Sequence, residues 1–451
     1  MRGDCIVFGG GMTGIVAAFL LAQEGRKVTV VEPRGGLGGV NTGRVWEGFC
    51  LDFGCHLFGN ESDVSTSVLL DLMDGEVVPV DVVFASILGG KRTEGFELPA
   101  LDSLGEEVSA RILKEVIAAA SSAAGPPPKN LKELLIDRYG PTAASILDSC
   151  LQKVFPVPAS ELAPEAIHAT TFRRIKIVSN EMADLLKQLT ALDERIARGS
   201  SDDPMRFYRN QVRLYPHRSF YPKSRGMLGF AERATRKLEA LGVHIVTGSE
   251  PTGLGLGHEH VTLELGAEKL TAEELIWTAG LGRLEPLFGG TSGIIHASQS
   301  VPMVLYYFDI DKRQETGTSY VNSFDREDLV FRASVPGLYG PETCPPERSY
   351  VCCEVPTSLD SDVWNDPSRF TPRIWDEVLR FGVATGEPGR TFIQKAKTSY
   401  KAPRADFGER SAWLSHRLSR EPRVWAPPEW AFSTTRTILE LIPRIRGERA
   451  A

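Results

Sequence analysis

The chain has 451 residues, of which 42% are hydrophobic and 24% charged, and a formal net charge of −7. This is the make-up of a globular protein of two or three domains, and an isoelectric point near 5.8 argues against a nucleic-acid partner or an anionic membrane surface. No apolar run reaches the ~18 residues of a membrane span, and the first strand starts within four residues of Met1, which leaves no room for a signal peptide.

The first predicted element is an apolar strand, Asp4-Cys5-Ile6-Val7-Phe8, running into Gly9-x-Gly11-x-x-Gly14. A helical stretch, Ile15 to Leu21, and a second strand, Lys27 to Val31, follow, and that strand ends in Glu32. Strand, glycine turn, helix, strand and acid in this order make a βαβ dinucleotide-binding unit. Gly9 allows the tight turn, Gly11 a close backbone approach to a pyrophosphate, and Gly14 close packing of helix on strand. The first helical turn, Met12 and Thr13 included, presents N–H groups to phosphates. Glu32 can accept from a ribose diol. FAD or NAD(P) is the expected ligand.

Further along, a helix is predicted at 65–73 and strand-like pieces at 78–88 and 95–99. Residues 105–124 read as helix, stopped by Gly125 and Pro126 to Pro128. Leu/Ile spacings over 131–200 predict an inserted helical lobe. A helix at 227–241, a buried strand at 243–246, and strands at 261–265 and 275–278 return the chain to the dinucleotide fold. Alternation over 300–335 and 348–356 predicts a mixed sheet in a second domain. A helix at 366–384 and a final one at 433–441 complete the pattern. The seven cysteines (5, 50, 55, 150, 344, 352, 353) show no CxxC pair and no metal-ligand spacing. Reduced thiols, a cytoplasmic setting and no metal are expected.

Three later segments join the first one: Gly35-Gly36-Leu37-Gly38-Gly39-Val40-Asn41-Thr42, Leu51-Asp52-Phe53-Gly54-Cys55-His56, and Tyr221-Pro222-Lys223-Ser224-Arg225-Gly226. In this order they resemble the FAD-dependent amine oxidase superfamily, which includes protoporphyrinogen oxidases, phytoene desaturases and UDP-galactopyranose mutases. The resemblance implies an α/β fold: a Rossmann-type FAD-binding domain (1–75, 221–295, with a return at 416–451), and a second mixed-sheet substrate domain with a helical lobe (76–220, 296–415). It implies FAD rather than NAD(P), held by Gly9, Gly11, Met12, Thr13, Gly14, Glu32, Gly38, Gly39 and Thr42. Gly54 and His56 would run beside the flavin ring, and the strand at 243–247 would end at the adenine near Glu250. Val40 stands where relatives carry an arginine, and Arg34 or Arg44 is the substitute. Relatives end in a glycine-rich segment before the last helix; here residues 425–434 contain no glycine, and Ser433 and Thr434 would cap that helix instead.

The resemblance also proposes catalytic residues. His56 is a proton-transfer candidate or a packed histidine. Cys55 is an inert thiol or, less commonly, a flavin attachment point. Arg332, with Glu354 and Trp364 nearby, faces substrate or makes a surface or interdomain ion pair. Tyr400 hydrogen-bonds substrate or simply packs. The basic, aromatic run 206–218 is an anion patch or a solvated loop. The leading expectation is an oxidoreductase that takes hydride from a small-molecule C–N or C–C bond, in a biosynthetic role. A mutase-like flavoenzyme acting on a nucleotide sugar is the alternative, although Gly59 replaces the second histidine of that group. A flavin-binding protein without turnover is a third. Oligomeric state is not legible.

Overall fold

The computed structural model describes residues 2–60, 62–123, 125–170, 172–199, 217, 219–340, 342–427 and 434–446. The chain opens with β1 (Arg2–Phe8), α1 (Met12–Gln23), β2 (Val28–Glu32), β3 (Gly43–Trp46), β4 (Phe49–Asp52), β5 (Phe58–Gly59), α2 (Asp63–Leu72) and β6 (Val77–Val80). It continues through β7 (Phe84–Leu88), β8 (Lys91–Glu94), α3 (Glu106–Ser121), α4 (Leu131–Tyr139), α5 (Pro141–Leu151), α6 (Ile167–Thr170), α7 (Asn180–Leu186) and α8 (Thr190–Asp193). Then come β9 (Ser219–Pro222), α9 (Gly226–Ala240), β10 (His244–Thr247), β11 (Gly253–Leu256), β12 (Val261–Leu265), β13 (Glu268–Trp277) and α10 (Leu281–Leu284). The last stretch holds β14 (Ser298–Asp311), β15 (Tyr320–Ser323), β16 (Arg332–Ser334), β17 (Arg348–Pro356), α11 (Asp362–Asn365), α12 (Thr371–Arg380), β18 (Thr391–Pro403), α13 (Phe407–Leu418), β19 (Val424–Trp425) and α14 (Thr434–Arg446).

These elements form two compact units, one of Met1–Val80, Tyr208–Ala297 and Phe407–Ala451, the other of Asp81–Phe207 and Ser298–Asp406. The first unit is built on a sheet ordered β10-β2-β1-β13-β12-β11, with β19 beside β13. β10, β2, β1, β13 and β19 run parallel. Parallel strands need a crossover, and α1 supplies it. Every side chain of α1 from Ile15 to Leu21 is buried, because α9 and α14 pack against it. On the sheet, Phe8 stacks on Trp277 with centroids 4.1 Å apart.

The second unit is built on a sheet ordered β18-β14-β17-β16-β15-β7-β8. Its neighbours are antiparallel except β15 and β7. Both faces are covered, so β14 reads as a near-continuous apolar run. One face carries Val304, Phe308, Val351 and Cys353 against Ile374, Trp375 and Val378 of α12. The other carries Phe324, Phe331 and Ala402 against the helical lobe, with Leu135, Leu147, Phe155 and Phe172 at its centre.

Three expectations need correction. The strand at 243–246 is not buried: His244 and Thr247 are exposed, because among the described residues β10 is the edge of its sheet and pairs with β2 alone. The predicted strand at 95–99 is a loop; the hairpin partner of β7 is β8 at 91–94, and Gly95 at φ 65° turns the chain away. The helix predicted from 366 starts only at Thr371, after a 3-10 turn over Pro367–Phe370. None of the seven cysteines is in a disulfide. Burial pushes the thiols of Cys5 and Cys353 well above the usual range.

Candidate functional site

The nucleotide corner of the first unit is shaped by backbone. A Cβ on Gly9 would lie 2.4 Å from Thr278 Oγ1, and one on Gly14 only 1.8 Å from the Gly9 carbonyl oxygen. Both positions therefore exclude side chains so that β1, α1 and β13 can close up. Gly11 differs: among the described residues a Cβ there would meet nothing within 4 Å. It caps the start of α1 with no side chain over the first turn. The second glycine loop is tied to the first, since the Gly38 N–H donates to the Gly10 carbonyl at 2.7 Å. A Cβ on Gly39 would lie 3.1 Å from Gly11 Cα. Two backbone loops thus meet beside open space at a helix N-terminus, which is the shape a diphosphate requires.

Glu32 is buried at 6% exposure. Its Oε2 accepts from the Gly10 N–H at 2.6 Å and its Oε1 from the Arg34 N–H at 2.8 Å. The carboxylate is thereby oriented by the same loop it serves. The Arg34 Nη1 donates to the Gly39 carbonyl at 3.4 Å, which brings this arginine over the second glycine loop, while Val40 is exposed. Thr42 packs beside Gly38. Gly248 donates to the carbonyls of Glu32 and Arg34, each at 2.9 Å, so the end of β10 lies beside the acidic residue. Glu250 itself is exposed and pairs with Arg283 at 2.5 Å. Met12 and Thr13 are half-buried in the first turn of α1. Thr434 begins α14 and is half-buried, and Ser65 Oγ donates to Thr435 Oγ1 at 3.3 Å; Ser433 lies outside the described residues.

Two motifs quoted from the sequence turn out to be one physical unit. Asp52 is 1% exposed; it accepts from the Tyr221 hydroxyl at 2.5 Å and from the Met227 N–H at 2.9 Å. Burial pushes its carboxyl up to about 7, although both donors pull the other way. This latch fixes β4 to β9 and to the start of α9, and Gly54, at φ 110°, turns the chain directly after it. His56 Nε2 lies 3.2 Å from the Phe53 carbonyl oxygen, and Cys55 is half-buried.

The second unit holds a polar row. Asn322, Arg332 and Glu354 are directly paired positions on β15, β16 and β17, so their side chains share one face. Val321, Ala333, Cys353 and Val355 occupy the opposite face, packed in the α12 core; the row therefore faces the helical lobe. Arg332 Nε donates to Asn322 Oδ1 at 2.9 Å and its Nη1 to Glu354 Oε1 at 3.3 Å. Tyr400 donates to Glu354 Oε2 at 2.8 Å. Asn322 Nδ2 donates to the Glu97 carbonyl at 2.8 Å, and Tyr320 donates to the Glu97 carboxylate. Glu354 is only 4% exposed, so this carboxylate needs the donors it has. Arg332, Tyr400, Asn322 and Glu97 line a cavity of about 190 Å³ in this unit.

Of the three expected catalytic residues, Arg332 and Tyr400 come together through Glu354, while His56 belongs to the first unit. Arg332 makes an ion pair with Glu354 inside its own unit. Trp364 packs on the opposite side of the sheet, against the α12 core, with Lys395 Nζ 5.4 Å from its ring centroid; it does not line the cavity. The basic run at 206–218 lies outside the described residues apart from His217. Asp52, Tyr221, Asn322 and Glu97 were not expected as site residues. Glu354, a lone carboxylate on the apolar strand Tyr350-Val351-Cys352-Cys353-Glu354-Val355, was named beside Arg332 but not as the acceptor that joins Arg332 to Tyr400.

A family profile described as an NAD(P)-binding Rossmann-like domain matches residues 7–74. Dihydrolipoamide dehydrogenase of Chaetomium thermophilum is 46% identical over 52 residues, which is 12% of this chain and only 8% of that protein. The likeness to solved structures spans the chain. A reduced UDP-galactopyranose mutase superposes with a TM-score of 0.72 at 16% identity, covering 99% of this chain and 93% of that one. A protein assigned as a protoporphyrinogen oxidase from Exiguobacterium sp. 255-15 gives 0.67 at 15% identity, covering 99% and 98%. Putrescine oxidase bound to putrescine gives 0.64 at 13% identity, covering 99% of each chain. The chain thus has a Rossmann-type nucleotide-binding unit. More particularly, its fold is the one shared by these three solved structures, a UDP-galactopyranose mutase, a protein assigned as a protoporphyrinogen oxidase and putrescine oxidase.

Proposed function

We propose that this protein is an FAD-dependent oxidoreductase acting on a small molecule. The observation that carries the reading is the pair of glycine loops joined at Gly38 and Gly10, with Gly11 facing open space at the head of α1. Gly9, Gly11, Met12, Thr13, Gly14, Gly38, Gly39 and Thr42 would cradle the diphosphate, Arg34 standing in for the arginine that Val40 displaces. Glu32 would accept from the ribose, the backbone near Glu250 would meet the adenine, Gly54 and His56 would flank the flavin, and Thr434 would close the site from α14. When bound, FAD would supply a two-electron acceptor for a hydride leaving a C–H bond as a C–N or C–C bond is oxidised to C=N or C=C, the proton of the neighbouring N–H or C–H passing to solvent. The chain's own part is to bind, orient and keep water out. Arg332 and Tyr400, locked by Glu354 and Asn322, would hold the polar end of the substrate. A cytoplasmic setting, consistent with seven cysteines outside disulfides, and a biosynthetic role belong to the same reading.

The test is the visible spectrum of the purified protein, in air and under dithionite, with UDP-galactopyranose added to each. Flavin bands without sugar conversion in either state are expected. Ring interconversion only in the reduced state would replace this reading with a mutase, an alternative favoured by the whole-chain likeness to UDP-galactopyranose mutase. Absence of flavin from protein purified in its presence would overturn both.

A further inference from the structure

We infer that the cavity beneath the polar row is a binding site for a compact, single-ring molecule carrying one polar substituent. This deepens the substrate half of the proposed function, but rests on features of the second unit alone. The cavity measures about 190 Å³. An apolar cavity of roughly 150 Å³ is known to hold benzene, whereas drug-sized ligands occupy about 300–1,000 Å³. The space here therefore takes one six-membered ring, or a branched alkyl group of similar bulk, plus a short substituent. Only one ring of a larger molecule would fit inside it.

The walls and the rim agree with that size. Phe155, Phe172, Phe324 and Phe331 line the cavity with Leu151 and Val154. The aromatic side is ordered edge to face: Phe324 meets Phe331 at 5.9 Å and 77°, and Phe331 meets Tyr400 at 6.4 Å and 88°. Such a wall offers ring edges to a guest ring. Close-packed interiors resist growth of a cavity by a whole ring. Cys150, also in the wall, has its thiol pushed up to about 12 by burial, so it acts as a small apolar surface rather than a nucleophile. At the polar side, the Arg332 guanidinium is held in place through Nε and Nη1, and Tyr400 is held through Glu354. These groups are pre-organised, and one oxygen- or nitrogen-bearing substituent suffices to meet them.

The probes are benzyl alcohol and its two-ring counterpart 2-naphthylmethanol, titrated into the purified full-length protein by calorimetry. Saturable binding of benzyl alcohol is expected, with the two-ring probe at least about tenfold weaker. Val154→Phe places a ring in the cavity and should abolish benzyl alcohol binding; Leu98→Phe does the same from another wall should the first variant fail to fold. Equal binding of both probes, no binding of either, or binding that survives both substitutions would overturn the inference. Flavin bands are read on the same samples. Loss of flavin with benzyl alcohol binding intact sinks the flavoenzyme reading and leaves the cavity standing, and flavin without benzyl alcohol binding does the reverse.

Discussion

The two units organise their candidate sites in opposite ways. In the first, the site is made of backbone: the glycines at 9, 11, 14, 38 and 39 matter for what they lack. In the second, it is made of side chains, Asn322, Arg332, Glu354 and Tyr400, gathered from four strands and satisfied by one another. A backbone site is written in contiguous sequence and tolerates no added atom. A side-chain row is written in strand register, and it fails by losing a partner.

The sharpest way to break this contrast is at the glycines. Gly14→Val would drive a side chain into the Gly9 carbonyl, and α1 could not seat on β1. We expect loss of soluble folded protein, a destabilisation beyond about 4 kcal/mol, read by circular dichroism and yield. Gly11→Ala should keep its native melting temperature, because the added methyl meets nothing and φ at Gly11 is −75°, yet lose most bound flavin. A flavin-replete Gly11→Ala protein would refute the cradle.

In the row, Glu354→Ala removes the acceptor shared by Arg332 and Tyr400. Breaking a buried ion pair costs about 3–5 kcal/mol; Arg332 keeps 22% side-chain exposure, so about 2–3 kcal/mol is expected in denaturant melts. Glu354→Gln should recover part of it.

The third prediction concerns pH. The Asp52 carboxyl sits at about 7 in the folded state, above its usual value near 4. The folded protein therefore binds more protons than the unfolded chain between those values, and stability should fall as pH rises through that window, flattening above about 7. Asp52→Asn should remove this component from the pH dependence of the melting temperature. An unchanged profile would show that the carboxyl titrates normally. The smallest effect belongs to Tyr400→Phe, which keeps the ring on Phe331 and loses only the hydroxyl to Glu354. It should cost about 1 kcal/mol, and under the proposed function it should weaken substrate binding more than it weakens folding.

The same contrast explains what could be read in advance. The βαβ unit was legible because its turn, helix and acid fall within 30 residues and each has a local steric reason. Glu32 was found for that reason, although its bonds to the Gly10 and Arg34 amides were not. Asn322 and Glu354 lie 32 residues apart and meet only because β16 passes between them; no local pattern encodes that. The Asp52–Tyr221 latch spans 169 residues, so its two halves were visible as motifs but not as partners. The error at β10 has a different cause: an apolar run shows that a strand can be buried, while its place at the sheet edge decides how far it is.

The cysteines give each unit its own clock. Cys5 lies in β1 of the first unit, and Cys150 and Cys353 lie in the lobe and sheet of the second, all at 2% exposure or less. Thiols so deeply placed and so reluctant to ionise are invisible to an alkylating reagent until the surrounding structure opens. The order in which these three positions acquire label, followed by mass spectrometry, would therefore report which unit loosens first when the protein is warmed, with no engineered probe.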